Sequence, residues 1–308
     1  MIGRKKFFGA IAGFILTAGI FTGCGGSSGD GVAYLCFDRS DAFGGTLIGN
    51  SFESAAQSKG LNVTYYDAKG DANLQIDQMR EAINNGVKSI VLLAADGELI
   101  VPLVEQANSQ GITVIGVNRD IKGGEHFDVR SDDYEAGKLQ GELLLKTLPQ
   151  GANVAYIEGM HTQKGAQDRW NGFKASCLDK RSDITLLDMQ DGLWSKTEAM
   201  KITALWLTMF PKIDAIVCGN DQMALGAIAA LKKANRLAIC QITGVDAVDE
   251  ALKAVAAGEM IQTIKQDAVK QGEGAADLAA TVNSGGTPSN ITVPFTSITK
   301  DNVSQFLK

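Results

Sequence analysis

The stretch VCGNDQMALGAIAAL, from Val217 to Leu231, runs apolar, breaks at Gly219-Asn220-Asp221 and then turns helical. Met223, Ala227, Ile228 and Leu231 recur at helical spacing, so one face of the helix should pack on a core. A buried strand, a short polar break and an amphipathic helix make a βα unit, and repeated βα units build a parallel sheet. Asp221 reads as the cap of that helix, because a carboxylate there accepts orphan backbone N–H groups. Asn220 reads differently. It stands at the carboxyl end of a strand, where open α/β sheets keep their ligand crevice, and is expected to turn its amide toward a ligand.

The same alternation runs outward from this unit almost without interruption from Val32. Strand-like runs are VAYLCF, VTYYDA, SIVLLAAD, ITVIGVN, HFDVRS, NVAYIEG, ITLLDMQ, DAIVCGN, CQITGVD and MIQTIKQD. Helical stretches lie between them, as in TLIGNSFESAAQSKG, where Leu47, Ile48, Phe52, Ala55 and Ala56 share a face. Gly60, Gly86, Gly111 and Gly258 each close such a stretch, where a left-handed residue is wanted. The expected fold class is α/β, with two Rossmann-like lobes, each a parallel sheet with helices on both faces, because one sheet of nine or more strands would be unusual. The division is expected near Ser131-Asp132, with returns near Gln266-Asp267 and Pro294. One lobe then takes residues 31–131 and 267–293, and the other 132–266 and 294–308. No Pro- or Ser-rich linker marks these points, so several short crossovers should form the hinge.

The chain has 308 residues and a formal charge of −6. It opens with Arg4, Lys5 and Lys6, an apolar run from Phe7 to Phe21, and Thr22-Gly23-Cys24. This describes an export signal over residues 1–23. The cysteine directly after it resembles a bacterial lipobox, which implies lipidation of Cys24 and anchoring to the outer face of the cell membrane. An ordinary cleaved signal or an uncleaved anchor is the alternative. Gly25-Gly26-Ser27-Ser28-Gly29 follows as a flexible tether, within residues 24–30. The acidic body lacks a basic stripe and makes a poor nucleic-acid binder. Cys36, Cys177, Cys218 and Cys240 show no CxxC spacing, and three of them sit in strand-like runs, so buried free thiols are expected.

Candidate functional residues cluster just past strand ends. Asp41 and Phe43 follow the first strand, Asn118 and Arg119 the fourth, and Arg169 lies early in the helix after NVAYIEG. Trp194, Asn220, Asp246 and Gln266 follow or end the next strands. Together they supply carboxylates, guanidinium forks, planar amides and two aromatic faces, with no nucleophile paired to a base. A sugar asks for that mixture. Its hydroxyls both donate and accept, and its C–H faces lie on flat aromatic rings. Taken singly each has a blander role: Asp246 as a helix cap, Asn118-Arg119 as a solvated turn, Phe43 as core, Trp194 as a cover for a helix end, and Arg169 as the partner of Asp168 or another acid. Their shared topological edge favours a site.

From Gly31 to Lys308 the chain resembles the type I periplasmic binding proteins, in the sugar-binding branch of ribose and galactose/glucose binders. The resemblance rests on VNR (Val117–Arg119), DRWNGF (Asp168–Phe173), CGNDQMALGAIAALK (Cys218–Lys232), TGVDAVDEAL (Thr243–Leu252) and the closing VPFTSITKDNVSQFLK. It implies Asp41, Phe43, Asn118, Arg119, Arg169, Trp194, Asn220, Asp246 and Gln266 as sugar contacts, with Phe43 and Trp194 sandwiching the ring. It also implies a monomer that delivers a monosaccharide, a hexose before a pentose, to an ABC permease and its ATPase. The alternative is a sensory role, with the liganded form docking on a chemoreceptor or sensor kinase. Leu93, Gln163 and Gly165 replace the Asn, His and Asp of galactose/glucose binders, and Gly44 replaces a Phe of the ribose type, so one end of the sub-site differs. The loop Lys146–Asn153 lacks oxygen ligands for calcium, and no metal or cofactor is expected. His126 and His161 lack zinc-ligand spacing, and no phosphate loop or nucleophile elbow is present, so an enzyme is not expected.

Overall fold

The computed structural model of this protein describes residues 31–307. The export signal, Cys24 and the tether lie outside the described residues. Among those residues, twelve strands form two six-stranded sheets. The first sheet takes β1 (Gly31–Cys36), β2 (Asn62–Asp67), β3 (Ser89–Leu92), β4 (Thr113–Val117) and β5 (Phe127–Arg130). The second takes β6 (Asn153–Glu158), β7 (Thr185–Asp191), β8 (Ala215–Cys218), β9 (Gln241–Val245) and β10 (Gln262–Lys265). Late in the chain, β11 (Ile291–Thr292) joins the first sheet beside β5, and β12 (Thr296–Thr299) joins the second beside β10.

Strand order is β11-β5-β4-β3-β1-β2 in one sheet and β12-β10-β9-β8-β6-β7 in the other. Order reverses between β1 and β3, and again between β6 and β8, so each sheet opens a crevice at the carboxyl ends of those strands. The central strands β3 and β8 are buried along their whole length, whereas the edge strands β2 and β7 are largely exposed. That contrast is the composition rule for sheets covered on both faces. Tyr34 of β1 stacks on Phe52 with ring centroids 4.5 Å apart, one of several aromatic contacts that fix helices against the sheets.

Nine α-helices connect the described strands: α1 (Gly49–Ser58), α2 (Ala72–Asn84), α3 (Val101–Ser109), α4 (Asp133–Thr147) and α5 (Lys164–Ser176), then α6 (Lys196–Met209), α7 (Asp221–Lys233), α8 (Asp249–Ala257) and α9 (Ala268–Asn283). Gly60, Gly86, Gly111 and Gly258 all take positive φ, as the closing role requires. The four described cysteines are buried and unpaired. No described helix is long and apolar enough to cross a membrane. The chain passes between the sheets three times: from β5 to α4, from β10 to α9, and from β11 to β12.

Three local expectations need correction. The second sheet is not purely parallel, because β12 runs antiparallel to β10. The first helical stretch begins as a π-helix over Ala42–Ile48 before α1. Its wider winding rotates the face expected from α spacing, so Leu47 is 44% exposed while Ile48, Phe52 and Ala56 are buried. Asp221 does not cap α7. Asn220 does, its side-chain oxygen accepting the N–H of Met223 at 2.9 Å, and Asp221 is the first helical residue, fully buried.

Candidate functional site

Both crevices face one cleft of about 850 Å³, and Asp41, Phe43, Asn118, Arg119, Arg169, Trp194, Asn220, Asp246 and Gln266 all line it. From the first sheet, the loop after β1 brings Asp41 and Phe43. One oxygen of Asp41 accepts the N–H groups of Phe43 and Gly44 at 3.1 and 2.6 Å, which fixes the start of the π-helix. The loop after β4 brings Asn118 and Arg119. Asn118 adopts φ +62 and donates to Gln271 Oε1 at 3.1 Å. Arg119 donates to the carbonyl of Ala94 at 3.2 Å, and its guanidinium lies 3.3 Å from the centroid of the Phe37 ring. Burial lowers the Arg119 pKa to about 10, against the pull of Asp41, and the group keeps its charge at neutral pH.

The second sheet supplies a matching set. Arg169, buried in α5, has its hydrogen bonds divided among three partners. Nε donates to Asp133 Oδ1 at 2.8 Å, Nη1 to the carbonyl of Gly219 at 2.6 Å, and Nη2 to Gln266 Oε1 at 3.3 Å. Burial alone would lower the Arg169 pKa, but the carboxylates of Asp133 and Asp246 outweigh it and hold the pKa above its usual value. The alternative pairing with Asp168 does not occur; Asp168 bonds Lys164.

Trp194 stands over this end of the cleft. Its Nε1 donates to Gln163 Oε1 at 3.0 Å, and its ring lies 5.4 Å from the Arg169 guanidinium. Leu193 and Trp194 take φ +53 and +58 to turn the ring inward. Gly159, after β6, is required for that placement, since a Cβ there would overlap the indole. Asn220 combines two roles: it caps α7, and its Nδ2 donates to the carbonyl of Trp194 at 3.4 Å.

Asp246 differs from every other group. Among the described residues, nothing hydrogen-bonds either of its carboxylate oxygens. Burial raises its pKa well above the usual carboxylate range; Arg169 pulls it down, while Asp221, Asp41 and Asp133 push it further up. A carboxylate in that position is short of donors, which a ligand's hydroxyls would supply.

Two site components, Phe37 and Asp133, are not among the residues the sequence singles out. Phe37 lies under Arg119 at the end of VAYLCF, a position past a strand end that marks it in the sequence. Asp133 fixes Arg169 from 36 residues away, a pairing that no local pattern shows. Gln163 holds Trp194 from the position where the galactose/glucose type carries His, and Gly165 leaves the space occupied by the Asp133 carboxylate.

A family model described as a periplasmic binding protein domain matches residues 32–287. A putative rhizopine-binding protein of Rhizobium meliloti is 32% identical over 285 residues, covering 90% of this chain and 91% of that one. The xylitol-binding protein of Mycolicibacterium smegmatis is 30% identical, over 82% and 72% of the two chains. Among solved structures, the Caulobacter myo-inositol binding protein bound to myo-inositol superposes with a TM-score of 0.85 at 26% identity, covering 91% of this chain and 96% of that one. The chain belongs to the periplasmic binding proteins, in their sugar-binding branch, and is a solute-binding protein rather than an enzyme.

Proposed function

We propose that this protein captures an uncharged polyol the size of one monosaccharide outside the cell membrane and presents it to the permease of an ABC importer. The observation that carries the reading is the paired equipment of the cleft. Each sheet contributes an aromatic ring, a guanidinium already fixed by protein carbonyls or carboxylates, and a carboxylate: Phe43, Arg119 and Asp41 on one side, Trp194, Arg169 and Asp246 on the other. A ring bearing hydroxyls around its whole edge would meet donors and acceptors at both ends and flat surfaces on its faces.

The ligands named for relatives include ribose, D-allose, xylitol and myo-inositol, which lends no support to a preference for a hexose. We place a cyclic polyol such as myo-inositol first. It has no bare edge that would leave Asp41 or Asp246 without a hydroxyl, and Leu93 is buried where galactose/glucose binders offer an amide. The lobes 31–131 with 267–293 and 132–266 with 294–308 close over the ligand about the three crossings, a population shift driven by contacts available only when both lobes engage. The protein acts as a monomer, tethered through lipid on Cys24.

Thermal unfolding of the purified protein with myo-inositol, D-ribose, xylitol or D-galactose tests the ligand. A ligand at 100 times its Kd stabilises the native state by about 2.7 kcal/mol, and myo-inositol should raise Tm most. No shift with any of the four would overturn the reading. Replacing Cys24 by Ser should release the protein into the medium, and retention at the membrane would rule out the lipid anchor.

A further inference from the structure

Asp246 and Ala247 carry the chain from β9 toward α8 with φ +125 and +58, a conformation that neither side chain favours. Two buried side chains meet this turn from beneath. Thr263, fully buried in β10, accepts the N–H of Ala247 on its Oγ1 at 3.1 Å. The same hydroxyl donates to the Asp221 carboxylate, lying 2.8 and 2.9 Å from its two oxygens. Asp221 Oδ2 also accepts the N–H of Val248 at 3.0 Å. The N–H of Asp246 itself bonds the carbonyl of Ile264 at 2.8 Å.

Each backbone N–H from residue 246 to 248 is thus bound to β10 or to Asp221, while the Asp246 carboxylate faces the cleft with no hydrogen bond from the described residues, in the field of Arg169 alone among nearby cations. Only a group that accepts and donates at once can stand between the Ala247 N–H and Asp221, and a hydroxyl does both. We infer that Thr263, supported by Asp221, is a positioning residue for ligand binding: it holds the strained Asp246-Ala247 turn so that the Asp246 carboxylate points into the cleft. The inference rests on the reading of Asp246 as a ligand contact.

The test measures the Kd for myo-inositol, with Tm alongside, on the full chain carrying Thr263→Val, Thr263→Ser, Asp246→Asn, and Thr263→Val combined with Asp246→Asn. Breaking a buried hydrogen-bond relay typically costs a factor of about 10 in an equilibrium constant, so Thr263→Val should weaken binding about tenfold. Thr263→Ser keeps the hydroxyl and should stay within about twofold of the unaltered protein. In the Asp246→Asn background, Thr263→Val should cost little more, because the carboxyl group it aims is no longer there.

Equal weakening by Thr263→Val in both backgrounds would overturn the inference, since a general loss of structure acts whether or not residue 246 carries a carboxyl group. So would an unchanged Kd for Thr263→Val when Asp246→Asn weakens binding. An unchanged Kd for Asp246→Asn would instead remove the underlying ligand contact, and this inference with it. Should Thr263→Val fail to fold, Thr263→Cys, whose thiol is a weak donor and acceptor, stands in under the same criteria.

Discussion

Asp221 is a carboxylate with no solvent exposure, and burial raises its pKa from 3.8 to about 7. The rise is limited by hydrogen bonds from Thr263 and the N–H of Val248, by the nearby N–H of Ala247 and by the field of Arg169. A carboxylate that takes up its proton more readily folded than unfolded contributes most stability below the unfolded pKa. That contribution is lost as pH rises through the folded one. Stability owed to Asp221 should therefore decline between pH 3.8 and about 7. Asn reproduces the shape and donor-acceptor pattern of the protonated acid. Denaturant unfolding of Asp221→Asn should come closest to the unaltered protein near the unfolded pKa of 3.8 and exceed it by a margin that widens until about pH 7, and a constant margin between the two proteins across that range would refute the assignment. The sequence places the cap on Asp221; in the structure Asn220 takes it while still lining the cleft. Either Asn or Asp can cap a helix, and only the buried Thr263 hydroxyl, 42 residues away, decides which one turns inward.

At the scale of the element, what was legible depended on period and length. Strands buried on both faces, such as SIVL and AIVC, announce themselves as short apolar runs between turns, and the glycines that close helices mark their ends. Two elements escaped for physical reasons. The π-helix over Ala42–Ile48 exists because Asp41 caps it and because Gly45 admits the carbonyl of Asp38, where a Cβ would overlap it. Both are tertiary conditions on a segment whose apolar spacing suits an α-helix. The antiparallel course of β12 follows from its approach after the β11 crossing, and a four-residue strand carries no mark of direction. The site shows the same division. Residues at strand ends were visible because topology sends strand ends to one edge. Asp133 was not, because α4 and α5 meet through glycines: a Cβ at Gly137 or Gly172 would overlap the facing backbone, and this close approach brings the carboxylate to Arg169.

Across the whole molecule, the cleft sets a carboxylate of the first sheet against one of the second. Asp41 lies near enough to Asp246 to raise its pKa, adding to burial and to the field of Asp221. At a pH high enough to ionise Asp246 against its raised pKa, like charges face each other across the closing gap and resist closure, and the resistance grows as water leaves. A polyol bound between them offsets that resistance by donating hydroxyl protons to both sides, so ligand and closure favour one another without any direct contact between the lobes at that point. The empty protein should therefore be biased open by its own charges. Asp246→Asn removes half of the opposing pair, and small-angle scattering of the unliganded variant at low salt and alkaline pH, where Asp246 is ionised, should give a smaller radius of gyration than the unaltered protein. At 1 M salt the screening length falls to about 3 Å, and the difference between the two should shrink. Equal radii at both salt concentrations would mean that the hinge alone sets the open state, with no part played by Asp41 and Asp246.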